Sequence, residues 1–167
     1  MSDRVKPVYA RGFFSVSSDG WVNQLVVFYY YDPESYYAGL SPDELSKERE
    51  TLKENMQYFL DQERIAINGK VTKARVRIVR IGLISTNYPF VEYVIDFKGE
   101  TRRGENVYEN EYEREVAEYP YEALWIFPGQ VTSHSLAGNV KVFNNVLELT
   151  VSPGTETGGL EWIKFRL

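Results

Sequence analysis

Six glutamates crowd one stretch, YENEYEREVAEYPYEALWIFPG, residues 108–129. Glu109, Glu111, Glu113 and Glu115 recur at every second position, and Glu118 and Glu122 follow. Carboxylates can do two kinds of chemistry. A pair about 5–10 Å apart serves glycoside hydrolysis, and a compact cluster holds a divalent cation. On a strand, same-face neighbours stand ~6.5–7 Å apart whatever their purpose, so the distance alone discriminates poorly. The pattern also suits a solvated strand face. Glu105, Glu109, Glu111, Glu113 and Glu115 then point outward, with Tyr108, Tyr112 and Val116 inward. Divalent sites favour Asp and backbone oxygens from loops, and this run is all Glu, so no metal ligands are assigned. We read the ladder as a wet or ion-paired face. Glu111 with Glu113, or Glu118 with Glu122, are the pairs that a hydrolase would use.

Aromatic residues offer a different chemistry. The segment YYYDPESYYAGLS carries five Tyr in thirteen residues. Tyr and Trp combine apolar area with a polar handle that orients a ligand. Tyr31, Tyr36, Tyr37, Tyr119, Tyr121 and Trp125 are therefore the candidate ligand contacts. Most such aromatics serve as packing.

Lys70, Lys73, Arg75, Arg77 and Arg80 form a basic strand, with Arg102 and Arg103 in a turn. Such charges beside aromatics can hold single-stranded nucleic acid. The formal net charge of -5 opposes that reading, and no RNP-type or KH-type motif appears. If the basic strand neighbours the acidic one, their charges pair across it. If it does not, the row of Glu guards a sheet edge. His134 is the single histidine and there is no cysteine. That excludes a thiol nucleophile, Cys-ligated metals and a disulfide framework. No phosphate loop of either common type is present, so no cofactor is assigned.

These residues need elements to place them. VYARGFFSV, Asp19-Gly20 and the apolar run after Trp21 read as a hairpin. A two-residue type I′ turn would set Phe14 against Leu25 and Gly12 against Val27. The second strand is apolar on both faces, which predicts cover on each side. Ser41, Pro42 and Glu44 form a capping box that starts one long helix, about 42–63. Leu45, Leu52, Met56, Phe59 and Leu60 make its apolar stripe. Asn68-Gly69 ends that segment. The rest reads as strand. In FVEYVIDF, Val91, Tyr93, Ile95 and Phe97 share a side, and Asn144-Asn145 closes a hairpin with Lys141 opposite Glu148. The acidic strand bends near Ala117–Pro120, and Tyr121–Phe127 is apolar enough to be central. SPGTETGG reads as a loop and LEWIKFRL as the closing strand.

The expected fold is mainly antiparallel β (α+β), one domain over 1–167. About 8–9 strands form a large curved sheet, open barrel or sandwich, with the helix packed against it. The start of the chain has no apolar run suited to a secretory signal, and the longest apolar run is too short to span a bilayer. Together with the absence of Cys, that points to the cytoplasm. The 18 Glu against 6 Asp lean mildly toward a thermophile's composition. The first functional reading is a non-catalytic module for a small ligand or a protein, a second copy of the chain included. A hydrolase using a Glu pair from 109–122 is the alternative. Single-stranded nucleic-acid binding by strand 70–80 is the further one.

Overall fold

The structure, a computed structural model, describes residues 3–167. Met1 and Ser2, part of the stretch read as lacking a signal, lie outside the described residues. Twelve strands and one long helix follow in the order β1 (Lys6–Val16), β2 (Trp21–Tyr31), α1 (Pro42–Gln62), β3 (Arg64–Ile67), β4 (Lys70–Thr72), β5 (Arg75–Ser85), β6 (Tyr88–Lys98), β7 (Glu105–Val116), β8 (Tyr121–Ile126), β9 (Gln130–Ser135), β10 (Asn139–Phe143), β11 (Val146–Val151) and β12 (Glu156–Arg166). A seven-stranded sheet has the order β10-β11-β8-β1-β2-β6-β5, and a five-stranded sheet the order β4-β3-β7-β12-β9. The mainly antiparallel α+β expectation holds, with one parallel pair, β1 with β8. The expected 8–9 strands become twelve because runs read as single strands or loops split. VTKARV changes sheet at Lys73–Ala74, and β12 begins inside the presumed SPGTETGG loop. There Gly158 takes φ +96°, and a Cβ at that position would lie 2.4 Å from the Glu113 carbonyl oxygen, so only glycine fits.

The helix begins as its residues dictate. Ser41 Oγ accepts from the Glu44 N–H at 3.2 Å, and Glu44 Oε2 accepts from the Ser41 N–H at 2.8 Å. Leu52, Met56 and Leu60 reach the core. Phe59, assigned to the same stripe, is exposed instead and packs edge-on to Tyr58. Gln57 ties the helix to the sheet, donating to the Ala74 carbonyl at 3.0 Å and accepting from the Val76 N–H at 3.0 Å. Asn68-Gly69 does not simply end the helix segment. It turns the chain between β3 and β4.

The first hairpin departs from its expected register by one residue. The Ser17 N–H donates to the Trp21 carbonyl at 2.9 Å and Gly20 takes φ +91°. The loop therefore holds three residues rather than two. Phe14 pairs with Gln24, and Leu25 pairs with Phe13. A one-residue slip moves every side chain to the other face. Val22, Val26 and Phe28 thus point inward and Leu25, Val27 and Tyr29 outward.

The core lies between the sheets, with the inner end of α1 completing it. From the larger sheet come Val22, Val91, Ile95, Phe97, Trp125 and Leu147, and from the smaller one Ile65, Ile67, Tyr108, Ile163 and Phe165. Val91, Tyr93, Ile95 and Phe97 share the buried side as expected.

Candidate functional site

The acidic stretch serves two sheets. β7 lies in the small sheet between β3 and β12, and after the corner at 117–120 the chain enters the middle of the large sheet as β8. Asn106, Tyr108, Asn110 and Tyr112 face inward. Glu111, Glu113 and Glu118 stand exposed, and Val116, expected inside, is 55% exposed. The basic strand β5 pairs with β6 and never meets β7. Two of its charges are met on β6, Arg77 with Asp96 at 2.9 Å and Arg80 with Glu92 at 3.4 Å, while Lys70, on β4 of the smaller sheet, meets Glu100 at 2.5 Å. Glu109 pairs with Arg64 at 3.0 Å. Nor is the ladder a full edge, since β3 covers it as far as Glu111.

The aromatic candidates do not converge. Tyr37 is 2% exposed, and its hydroxyl donates to buried Glu48 at 2.8 Å. Tyr36 meets the Tyr37 ring edge-on at 5.2 Å. Trp125 is 7% exposed and stacks on Phe14 at 4.6 Å. Tyr121 is half-buried on the same inner face, and Tyr119 lies at the corner. Tyr31 is exposed beside Tyr88 at 5.6 Å. These side chains pack; the structure does not gather them around a pocket.

A depression of about 490 Å³ opens instead on the outer face of the seven-stranded sheet. Its floor is Phe13, Leu25, Val27, Tyr29 and Leu124, and its charged groups are Arg11, Glu92, Glu122 and Glu148. Of the sequence candidates only Glu122 is part of it. Arg11 Nε meets Glu122 Oε1 at 2.8 Å. Burial first, then a hydrogen bond to Glu122, pushes the Tyr9 phenol up to about 12. The expected cover over the outward face of β2 is absent among the described residues, because the small sheet and α1 both pack on the inner face. The sequence did hold the signal, namely apolar residues on both faces of β2. The assumption that both faces are covered concealed it.

A second, smaller space of about 50 Å³ lies between the sheets, lined by Phe14, Tyr108, Asn110, Trp125, Leu136 and Glu161 among others. Trp125 Nε1 and Asn110 Oδ1 have no hydrogen-bond partner there among the described residues. Burial raises the Glu161 carboxyl above its ordinary value, although the Tyr112 hydroxyl donates to it at 3.0 Å. Burial likewise raises Glu63. Neither carboxyl was singled out from sequence, since each stands alone in an apolar or mixed run. No group of three His, Cys, Asp or Glu is placed to hold a metal ion among the described residues. No helix among them is long and apolar enough to cross a membrane.

No family model matches the chain, and no curated protein matches it. Among solved structures, the folded domain of LppM from Mycobacterium tuberculosis is similar over 99% of this chain and 93% of that one, with TM-score 0.50 and 13% identity. That likeness shows a shared fold. Native yeast LTA4 hydrolase is matched over 97% of this chain and 29% of that one, at 7% identity and TM-score 0.38, too distant to carry weight.

Proposed function

We propose that the protein is a non-catalytic binding module whose ligand seat is the outer face of the seven-stranded sheet. The supporting observation is the depression floored by Phe13, Leu25, Val27, Tyr29 and Leu124. Its volume, about 490 Å³, falls in the range usual for small-molecule sites, ~300–1,000 Å³. Its few charged groups sit among apolar ones, as orienting groups do in such sites. The hydrolase alternative loses its support, because Glu111, Glu113 and Glu118 stand in solvent. The nucleic-acid alternative loses its own because carboxylates neutralise Lys70, Arg77 and Arg80. A cysteine-free chain of this kind suits the cytoplasm.

An environment-sensitive apolar dye tests the reading. It should bind at one site per chain, and Phe13→Glu should weaken it at least ten-fold, a loss of about 1.4 kcal/mol. Dye binding untouched by Phe13→Glu would contradict the assignment.

A second reading, pairing with a protein or another copy, draws on the edge strand β5. Ile84 at its tip is 66% exposed, next to exposed Leu83, with Tyr88 and Tyr31 exposed nearby. Exposed apolar edges invite strand pairing. Sedimentation of the wild type against Ile84→Lys distinguishes a dimer from a monomer.

A further inference from the structure

The strand registers align the outer-face side chains into rungs that cross the sheet. One rung is apolar over five strands: Ile78 pairs with Val94, Val94 with Leu25, Leu25 with Phe13, and Phe13 with Leu124. It ends on Glu148 and then Lys141. The next rung on one side is Arg80, Glu92, Val27, Arg11, Glu122 and Thr150. On the other side Asp96, Asn23 and Ser15 stand in line, and the rung then turns apolar at Ile126, Val146 and Phe143. The apolar stripe is thus one residue wide and flanked by polar groups on β6 and β1, widens at Val27 on β2, and broadens from β8 toward Ile126, Val146 and Phe143. The depression covers its middle, from Leu25 to Glu148.

Dimensions decide what fits. Five strands span four spacings, about 19 Å, and one rung is about 7 Å wide. The rung itself therefore offers roughly 130 Å², and with Val27 and the Ile126–Val146–Phe143 end added the apolar patch still stays well below the ~800 Å² per partner of a stable protein interface. An extended peptide gains affinity from free backbone groups at an edge, whereas on this face the backbone is already spent in the ladders. A broad fused-ring ligand centred on Phe13 would have to cover Arg11 on one side and Ser15 on the other. A long, narrow, flexible apolar chain meets none of these objections.

We infer that the stripe seats a single alkyl or acyl chain, so that the ligand is a single-chain amphiphile. Its tail lies across the strands from Leu124 to Ile78, and its polar head rests beside Glu148 and Lys141. This rests on the binding-module reading above and narrows it to one class of ligand. The Arg11–Glu122 pair and the Arg80–Glu92 pair act as one wall and the Asn23 rung as the other.

Calorimetric titration with n-alkyl phosphocholines of increasing chain length, below micelle formation, tests it. Affinity should rise about four-fold with each added methylene and level off once the chain fills the stripe. Leu124→Glu should abolish the dependence on chain length, as should the milder Leu25→Gln. Glu54→Gln, on the exposed side of α1 and away from this face, should leave it. Glu148→Lys should change the affinity of every member by one common factor and keep the slope. Equal affinity at all lengths, or a slope unchanged in both Leu variants, overturns the inference. A dye bound in a Phe13-dependent way without any chain-length dependence overturns the alkyl chain while the binding module stands. Loss of both overturns both.

Discussion

Both faces of the seven-stranded sheet carry apolar side chains, but among the described residues only the inner face is covered. Inside, Val22, Phe97, Trp125 and Leu147 meet the small sheet and α1. Outside, Phe13, Leu25 and Leu124 meet solvent between rungs of charge. The contrast teaches that hydrophobicity along a strand does not say which face the core takes. Register and the placement of the covering elements decide that. An uncovered apolar face costs solubility and returns no packing, which is why we attach function to it.

Substitution should separate the faces. Phe97→Ala should cost ~3–5 kcal/mol by opening a cavity in a close-packed interior. Phe13→Ala should cost under about 1 kcal/mol, since its side chain has no covering neighbour to lose. Urea unfolding of both variants checks the pair, and equal losses would break the distinction.

The polar pairs sharpen it. Tyr37→Phe leaves the Glu48 carboxylate without the hydroxyl that donates to it in the interior, an expected cost of ~1–3 kcal/mol. Arg11→Met on the outer face removes a partner from Glu122 in a well-solvated pair, with an expected cost of ~0.2–1 kcal/mol. The same unfolding curves measure both.

Two buried carboxyls of the interior tie folding to pH in the acid range. Burial raises the carboxyls of Glu63 and Glu161 above their ordinary 4.5, so the folded protein holds those protons more tightly than the unfolded chain does. The stability they contribute is complete below that ordinary value. It declines as pH rises through the raised folded values. Glu161→Gln should flatten the decline above about pH 4.5, read as unfolding midpoints across pH. An unchanged profile would show that the buried carboxyl is not linked to folding.

Local chemistry made part of the fold legible. The Ser41–Glu44 capping box, the alternation of Val91 to Phe97 and the Asn144-Asn145 turn that sets Lys141 opposite Glu148 each depend on near neighbours. The first hairpin turned on one residue: Ser17 rather than Ser18 closes the loop, and that moved Leu25 to the outer face. The passage of 117–120 from one sheet to the other is long-range, and nothing in Glu115–Tyr121 states which strands will flank it. The candidate site was hidden for the same reason. Phe13, Leu25, Val94 and Leu124 lie on four different strands, and they become one stripe only when three strand pairings are known.

The most direct measurement is a methyl-resolved NMR titration with a long-chain alkyl phosphocholine. Shifts are expected at the methyls of Leu25, Val27, Val94, Leu124 and Ile78, with those of Val22, Val91 and Leu147 on the inner face unmoved. Shifts confined to the inner face, or no shift at any outer-face methyl, would contradict it.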